Sequence, residues 1–155
     1  MIRIFIQNTN LITQETHMNS GLKLEQIKAY FEQHQLPAFD SSSIIYGMIN
    51  AKAWQYALFS GLATLCIKHL LIYFNAEKMI LIGLSLSADL TESITIIPMT
   101  KISALSFKRG IFRGEITFIF EQKKYHIKVP SFIIAAKWHK GNLKNILERY
   151  IIRYS

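Results

Sequence analysis

The sequence predicts a mainly β domain with one helix before the strands and one after them. Three observations predict it. Seven short apolar runs between residues 43 and 129 are separated by turn residues. The last stretch places apolar residues at helical spacing. An N-terminal stretch does the same and stops at a proline. At 155 residues the chain has the length of one domain, and with 50% apolar residues it can bury a sizeable core.

Residues 1–20 read as a flexible tail and residues 21–155 as a single domain. The first ten residues lack the long apolar stretch and small-residue cleavage site of a secretory signal, and Met18 is a second candidate start. Residues 22–35, LKLEQIKAYFEQHQ, set Leu24, Ile27, Tyr30 and Phe31 on one helical face, with Asn19 or Ser20 as the cap. Pro37 ends this helix, because the ring cannot donate and disfavours a helical Leu36. FDSSS at 39–43 reads as a turn.

The first strand is read over 43–50, SIIYGMIN. The following run at 54–67, WQYALFSGLATLCI, is almost continuously apolar and stays open among three readings: a core element, a face for a partner, and a membrane element. A spanning helix needs ~20 apolar residues. Lengthening this run would bury Lys68 and His69, which is costly. LLIYF at 70–74 and the run 79–84 form a hairpin through the turn Asn75 to Lys78. SADLTES then reads as a polar connection before a strand at 94–97 that Pro98 closes.

Residues 102–107 alternate, with Ile102, Ala104 and Ser106 on one side and Ser103, Leu105 and Phe107 on the other. In the turn 108–114, KRGIFRG, two glycines are expected to supply positive φ. Residues 116–120 pair through EQKK with 125–129, and both runs alternate cleanly. In the last helix Leu143, Ile146, Leu147, Tyr150, Ile151 and Tyr154 make one apolar stripe. Gly141-Asn142 marks its start, and Trp138 just before it is placed to plug against the sheet.

Chemistry-bearing motifs are scarce. Cys66 is the single cysteine, so no internal disulfide is available, and its apolar neighbours suit a small buried hydrophobe in a reducing, cytoplasmic setting. His17, His34, His69, His126 and His139 share no metal-ligand spacing. Ser41 to Ser43 suit a turn or cap. The chain holds no P-loop, strand-linked GxGxxG, HExxH or GxSxG. The expectation is no catalytic residue, no metal and no cofactor.

Charge is the stronger signal. From Lys101 onward there are twelve Lys/Arg against three Asp/Glu, a balance of +9, whereas the first hundred residues hold six against seven. Lys101, Lys108, Arg109, Arg113, Lys123 and Lys124 are the candidate binding patch, since clustered cations attract anionic partners. The same residues also suit solvated turns that keep strand edges from pairing.

The order of elements resembles the pleckstrin-homology-like domains of Gram-positive bacteria over roughly residues 43–153. An "I-P-x-x-x-I" phrase is matched by Ile97, Pro98 and Ile102, and a basic turn by Lys108, Arg109 and Gly110. A "G-x-L-T-I" strand is matched by Gly114, Ile116, Thr117 and Phe118, and a terminal "N-L-x-x-L-L-E" helix by Asn142, Leu143, Ile146, Leu147 and Glu148. The resemblance implies a bent antiparallel barrel of about seven strands capped by the C-terminal helix. It implies no chemistry, because the phrases are packing and turn features. Phosphoinositide-binding relatives in eukaryotes use a basic loop between their first two strands. Here that loop holds the apolar 54–67 run, with Lys52 and Lys68 only at its ends, so no such site is carried over.

The expected function is a non-enzymatic binding module that recognises a protein partner or its own copies. Two other readings stand beside it: peripheral association with an anionic membrane through the basic third, helped by 54–67, and nucleic-acid binding favoured by an isoelectric point near 9.6. No small-molecule substrate is evident.

Overall fold

The computed structural model describes residues 19–49 and 69–151. Seven antiparallel strands form one sheet: β1 Ile44–Ile49, β2 His69–Phe74, β3 Lys78–Leu84, β4 Leu90–Pro98, β5 Ser103–Lys108, β6 Arg113–Phe120 and β7 Lys123–Pro130. Helix α1, Leu24–Gln33, precedes them, and helix α2, Trp138–Ile146, follows and widens into a π-helical turn at Leu147–Ile151. The strand order is β4-β3-β2-β1-β7-β6-β5. Two meanders, β1–β4 and β5–β7, therefore meet at one joint, where Met48 faces Lys128 and Ile49 faces Ile127. Among the described residues no ladder joins β4 to β5, so the sheet is open at that seam rather than a closed barrel.

One core fills the inner face. It takes Ile45, Ile72 and Leu81 from the first meander, Leu105, Phe118 and Ile127 from the second, and Leu143, Ile146, Tyr150 and Ile151 from α2 and its π turn. Ile97 of β4 and Leu105 of β5 share this core although they lie on opposite edges, which requires the sheet to curl around it. The stripe read along the last helix is the face that packs here, with Tyr154 outside the described residues.

A second core lies on the outer face of the first meander alone. Ile27, Tyr30 and Phe31 of α1 pack on Ile44, Leu71, Tyr73, Ile80, Ile82 and Leu84. Phe31 meets Tyr73 edge-on at 4.8 Å between ring centres. Tyr30 donates its hydroxyl to the Thr91 carbonyl at 2.6 Å, tying α1 to β4. Strands β2 and β3 are thus covered on both sides, which explains their uninterrupted apolar runs. The second meander is covered on one side only, and along β7 Tyr125, Ile127 and Val129 are buried while Lys124, His126 and Lys128 are exposed.

Several boundaries differ from the sequence reading. Helix α1 is shorter than 22–35 because Ser20–Leu22 forms a 3₁₀ turn, and neither Asn19 nor Ser20 caps the α-helix through its side chain. Ser20 instead accepts a hydrogen bond from the Leu90 amide at 2.7 Å. The SADLTES connection is largely strand: β4 begins at Leu90, and its polar residues are tolerated on an edge where Thr91 donates to the Gly83 carbonyl. The alternation over 102–107 is broken by a bulge between Ser103 and Ser106, with Ala104 at φ 50, so Ile102, Leu105 and Phe107 all reach the same core.

The glycines of the β5–β6 turn serve close approach rather than positive φ. A Cβ on Gly110 would sit 2.1 Å from the Arg113 carbonyl oxygen, and one on Gly114 would sit 2.2 Å from Phe107. The positive φ values fall instead on Glu121 and Gln122, at 49° and 64°, which form the two-residue β6–β7 turn and leave Lys123 and Lys124 inside β7. Helix α2 starts at Trp138, not at Gly141-Asn142. Trp138 packs in the outer core and donates its indole N–H to the Leu22 carbonyl at 3.0 Å. The 54–67 run and Cys66 lie outside the described residues.

Candidate binding surface

The start of α2 is pinned from two sides. His139 is fully buried; its Nδ1 accepts from the Tyr46 amide at 3.1 Å and its Nε2–H donates to the Pro130 carbonyl at 2.7 Å. Those two partners require the neutral Nε2–H tautomer, and burial lowers the pKa of the ring, with the bond to Pro130 acting weakly the other way. Asn142 donates to the carbonyls of Ser41 and Ile44, at 2.6 and 2.9 Å. These bonds join the first turns of α2 to β1 and β7, and they fix where Lys137, Lys140 and Lys144 project. The three lysines share one helical face at i, i+3 and i+7.

That basic face meets the β5–β6 turn across a cleft of about 630 Å³. Arg109, Lys137, Lys140 and Lys144 supply its charge, Phe107, Leu143 and Leu147 line it with apolar surface, and no carboxylate among the described residues lines it. A second cleft of about 390 Å³ shares Phe107, Arg109, Lys144 and Leu147 and runs on to Glu148 and Ile151. Across the turn, a smaller recess of about 220 Å³ gathers Lys108, Arg109, Arg113 and Lys128 around Glu115. Glu115 is already committed. His126 donates to it at 3.0 Å, and that hydrogen bond is the main reason its carboxyl sits below the usual range, with the charges of His126, Lys128 and Lys108 assisting. Arg109, Lys137, Lys140 and Lys144 form no ion pair with a described residue.

Exposed apolar side chains occupy the same end. Ile111 and Phe112 on the β5–β6 turn are 89% and 78% exposed, and Phe132 and Ile134 on the β7–α2 connection are 58% and 86% exposed. The Ser131 amide donates to the Phe112 carbonyl at 2.9 Å, so the two loops stand side by side. The segments that carry these four apolar tips also carry Lys108, Arg109, Arg113 and Lys137.

The six cations singled out by sequence do not form one patch. Lys108, Arg109 and Arg113 gather at the β5–β6 turn. Lys123 and Lys124 pair with Phe120 and Ile119 at the far end of β6, ~23 Å away along the strand. Lys101 precedes Ser103, which faces Ile119, so it belongs with that far end. Sequence reasoning missed Lys137 and Lys140 as site residues. Their helical spacing with Lys144 was a usable signal, hidden by placing the helix start at Asn142. Among the described residues, no three of His, Cys, Asp and Glu group as a metal site.

No protein-family model, curated protein or solved structure matches the chain.

Proposed function

We propose that this chain is a non-enzymatic, pleckstrin-homology-like binding module that docks on an anionic membrane surface by its β5–β6 and β7–α2 end. Support for the fold part is the pair of meanders followed by a helix that covers the inner face. The non-enzymatic part is supported by how the histidines are used: His34, His126 and His139 each serve a hydrogen bond between elements.

One observation carries the membrane reading: Ile111, Phe112, Phe132 and Ile134 protrude on two loops joined by the Ser131–Phe112 hydrogen bond, and the same segments carry Lys108, Arg109, Arg113 and Lys137. Each such side chain gains ~1.5–3 kcal/mol when fully buried. Each cation near an anionic leaflet adds ~1 kcal/mol. Segments whose charges are all cationic suit an anionic surface. A protein interface is depleted of charge at its core, whereas here the apolar tips share their loops with cations. Among the described residues no helix is long and apolar enough to cross a membrane, and peripheral docking needs none.

Vesicle flotation tests this. The protein is expected to float with anionic vesicles and not with neutral ones, and Phe112→Ser with Ile134→Ser is expected to abolish flotation at unchanged charge. Absence of flotation with anionic lipid at low salt sinks the membrane reading and returns a protein partner or a second copy to first place.

A further inference from the structure

Resting on that membrane reading, we infer that the cleft between the β5–β6 turn and α2 is a headgroup site for a lipid carrying a phosphate monoester. Four cations converge on it from two elements: Arg109 from the turn, and Lys137, Lys140 and Lys144 from the helix. Among the described residues no carboxylate lines it to offset them. Lys137 and Lys140 sit where a helix least favours positive charge, because the first-turn amides carry the positive end of the macrodipole. The first turn contains no acidic residue to compensate. In the free protein these charges repel one another and the helix end, so the arrangement weakens the fold locally. A ligand with more than one negative charge removes that penalty. A phosphate monoester carries about −1.5 to −2 at neutral pH, whereas a phosphodiester or a carboxylate carries about −1.

The shape of the cleft agrees. Its volume of about 630 Å³ is far more than a bare ion needs, and Phe107, Leu143 and Leu147 give it an apolar wall. That wall continues into the neighbouring cleft toward Ile151. The helix surface is open at Gly141, where a Cβ would meet nothing within 4 Å. Ile111 both lines the cleft and protrudes as a tip, so the mouth lies where headgroups lie when the tips are inserted. A charged head with an attached apolar or glycerol portion matches such a site better than free inorganic phosphate does.

The test compares vesicles of neutral phosphatidylcholine carrying either phosphatidic acid, a monoester, or phosphatidylglycerol, a diester, matched for surface charge. The full chain is expected to prefer the monoester vesicles by ~10-fold, the scale of one charge-assisted hydrogen bond gained. Lys140→Glu and, separately, Lys144→Ala are expected to remove the preference while leaving some binding to both vesicles. Lys124→Glu, an equal charge change at the far end of β6, is expected to keep the preference. Equal binding to charge-matched vesicles overturns the headgroup site but leaves membrane docking standing. Absence of binding to either vesicle defeats docking itself. Binding of soluble glycerol 3-phosphate or inorganic phosphate as tight as binding to phosphatidic acid vesicles overturns the lipid assignment in favour of a soluble phosphate compound.

Discussion

The two meanders of this sheet solve the same problem in opposite ways. Strands β2 and β3 of the first meander are packed on both faces, by the inner core and by α1, and their sequences are almost unbroken apolar runs. Strands β6 and β7 of the second are packed on the inner face only, and their sequences alternate. The difference shows where packing is concentrated and where surface is left exposed. The doubly covered half spends its surface on packing, and the singly covered half keeps an outer face and a loop end free for charge. The basic balance of the last third is the sequence trace of that division.

The largest way to break the comparison is to strip the outer layer. Phe31 is 1% exposed and wedged between Phe39 and Tyr73. Phe31→Ala is expected to cost ~3–5 kcal/mol in denaturant unfolding. A cost below ~1 kcal/mol would mean that α1 is an appendage and that the first meander stands without it.

Next in size is the joint between the halves. His139→Ala strands the Tyr46 amide and the Pro130 carbonyl, one on each meander, at ~1–3 kcal/mol for each buried group left unpaired. The expected sum is ~2–6 kcal/mol by the same measure, with a lower midpoint and an unchanged denaturant slope.

A smaller, pH-dependent effect has opposite signs at two histidines. Burial depresses the His139 pKa. At pH above ~6.5 the ring is neutral folded or unfolded and contributes nothing to the pH dependence. Below that, the unfolded chain takes up a proton that the folded chain refuses, so stability falls as pH drops toward the folded pKa. His34 runs the other way. Its Nδ1 and Nε2 face the Tyr30 carbonyl and the Glu92 carboxylate, both acceptors, so the ring is held protonated. The Glu92 hydrogen bond raises its pKa, and the stability it lends is complete below ~6.5 and lost as pH rises through the folded value. Glu92 is exposed, so this contribution is the weaker of the two. Unfolding midpoints between pH 5 and 7 are expected to fall on acidification, and more steeply in His34→Gln. A shallower fall in that variant would reverse the assignment.

The gentlest probes separate the faces of β7. The buried Tyr125 hydroxyl has no partner among the described residues. Tyr125→Phe is expected to leave stability unchanged or raise it by up to ~1 kcal/mol. A clear loss would place a hydrogen-bond acceptor for it outside the described residues. Lys124→Ala on the outer face is expected to stay within ~0.5 kcal/mol of the parent, as surface changes usually do.

The sequence read well where one physical rule acted alone. Period-two alternation located β6 and β7, and the stripe at Leu143, Ile146, Leu147, Tyr150 and Ile151 located the packed face of α2. It read poorly where a tertiary partner overrode the local signal. Leu90 to Ser93 look like a loop, but Thr91 and the Tyr30 hydroxyl supply edge-strand bonds that local composition does not announce. Glu121 and Gln122 adopt a conformation expected of Asn-Gly, because the flanking strands impose it. The double cover of β2 and β3 was legible in principle, since runs such as LLIYF and MILIGL leave no polar side to face water. The candidate site was half legible: the β5–β6 cations stood out, whereas the lysines across the cleft depended on where the helix began.

The open seam has a consequence for how the molecule is made. Strands β4 and β5 do not pair, and among the described residues the joint between the meanders rests on two facing residue pairs. Much of the closure of the inner core therefore falls to α2, which is synthesised after all seven strands. Until it emerges from the ribosome, the nascent chain carries a curled sheet whose apolar lining faces water, together with two edges that no described strand pairs. This is the interval of greatest exposure to aggregation and to chaperones. The bulge at Ala104 on the β5 edge and the polar residues at the start of β4 are then safeguards, making both edges poor templates during the time they are least protected.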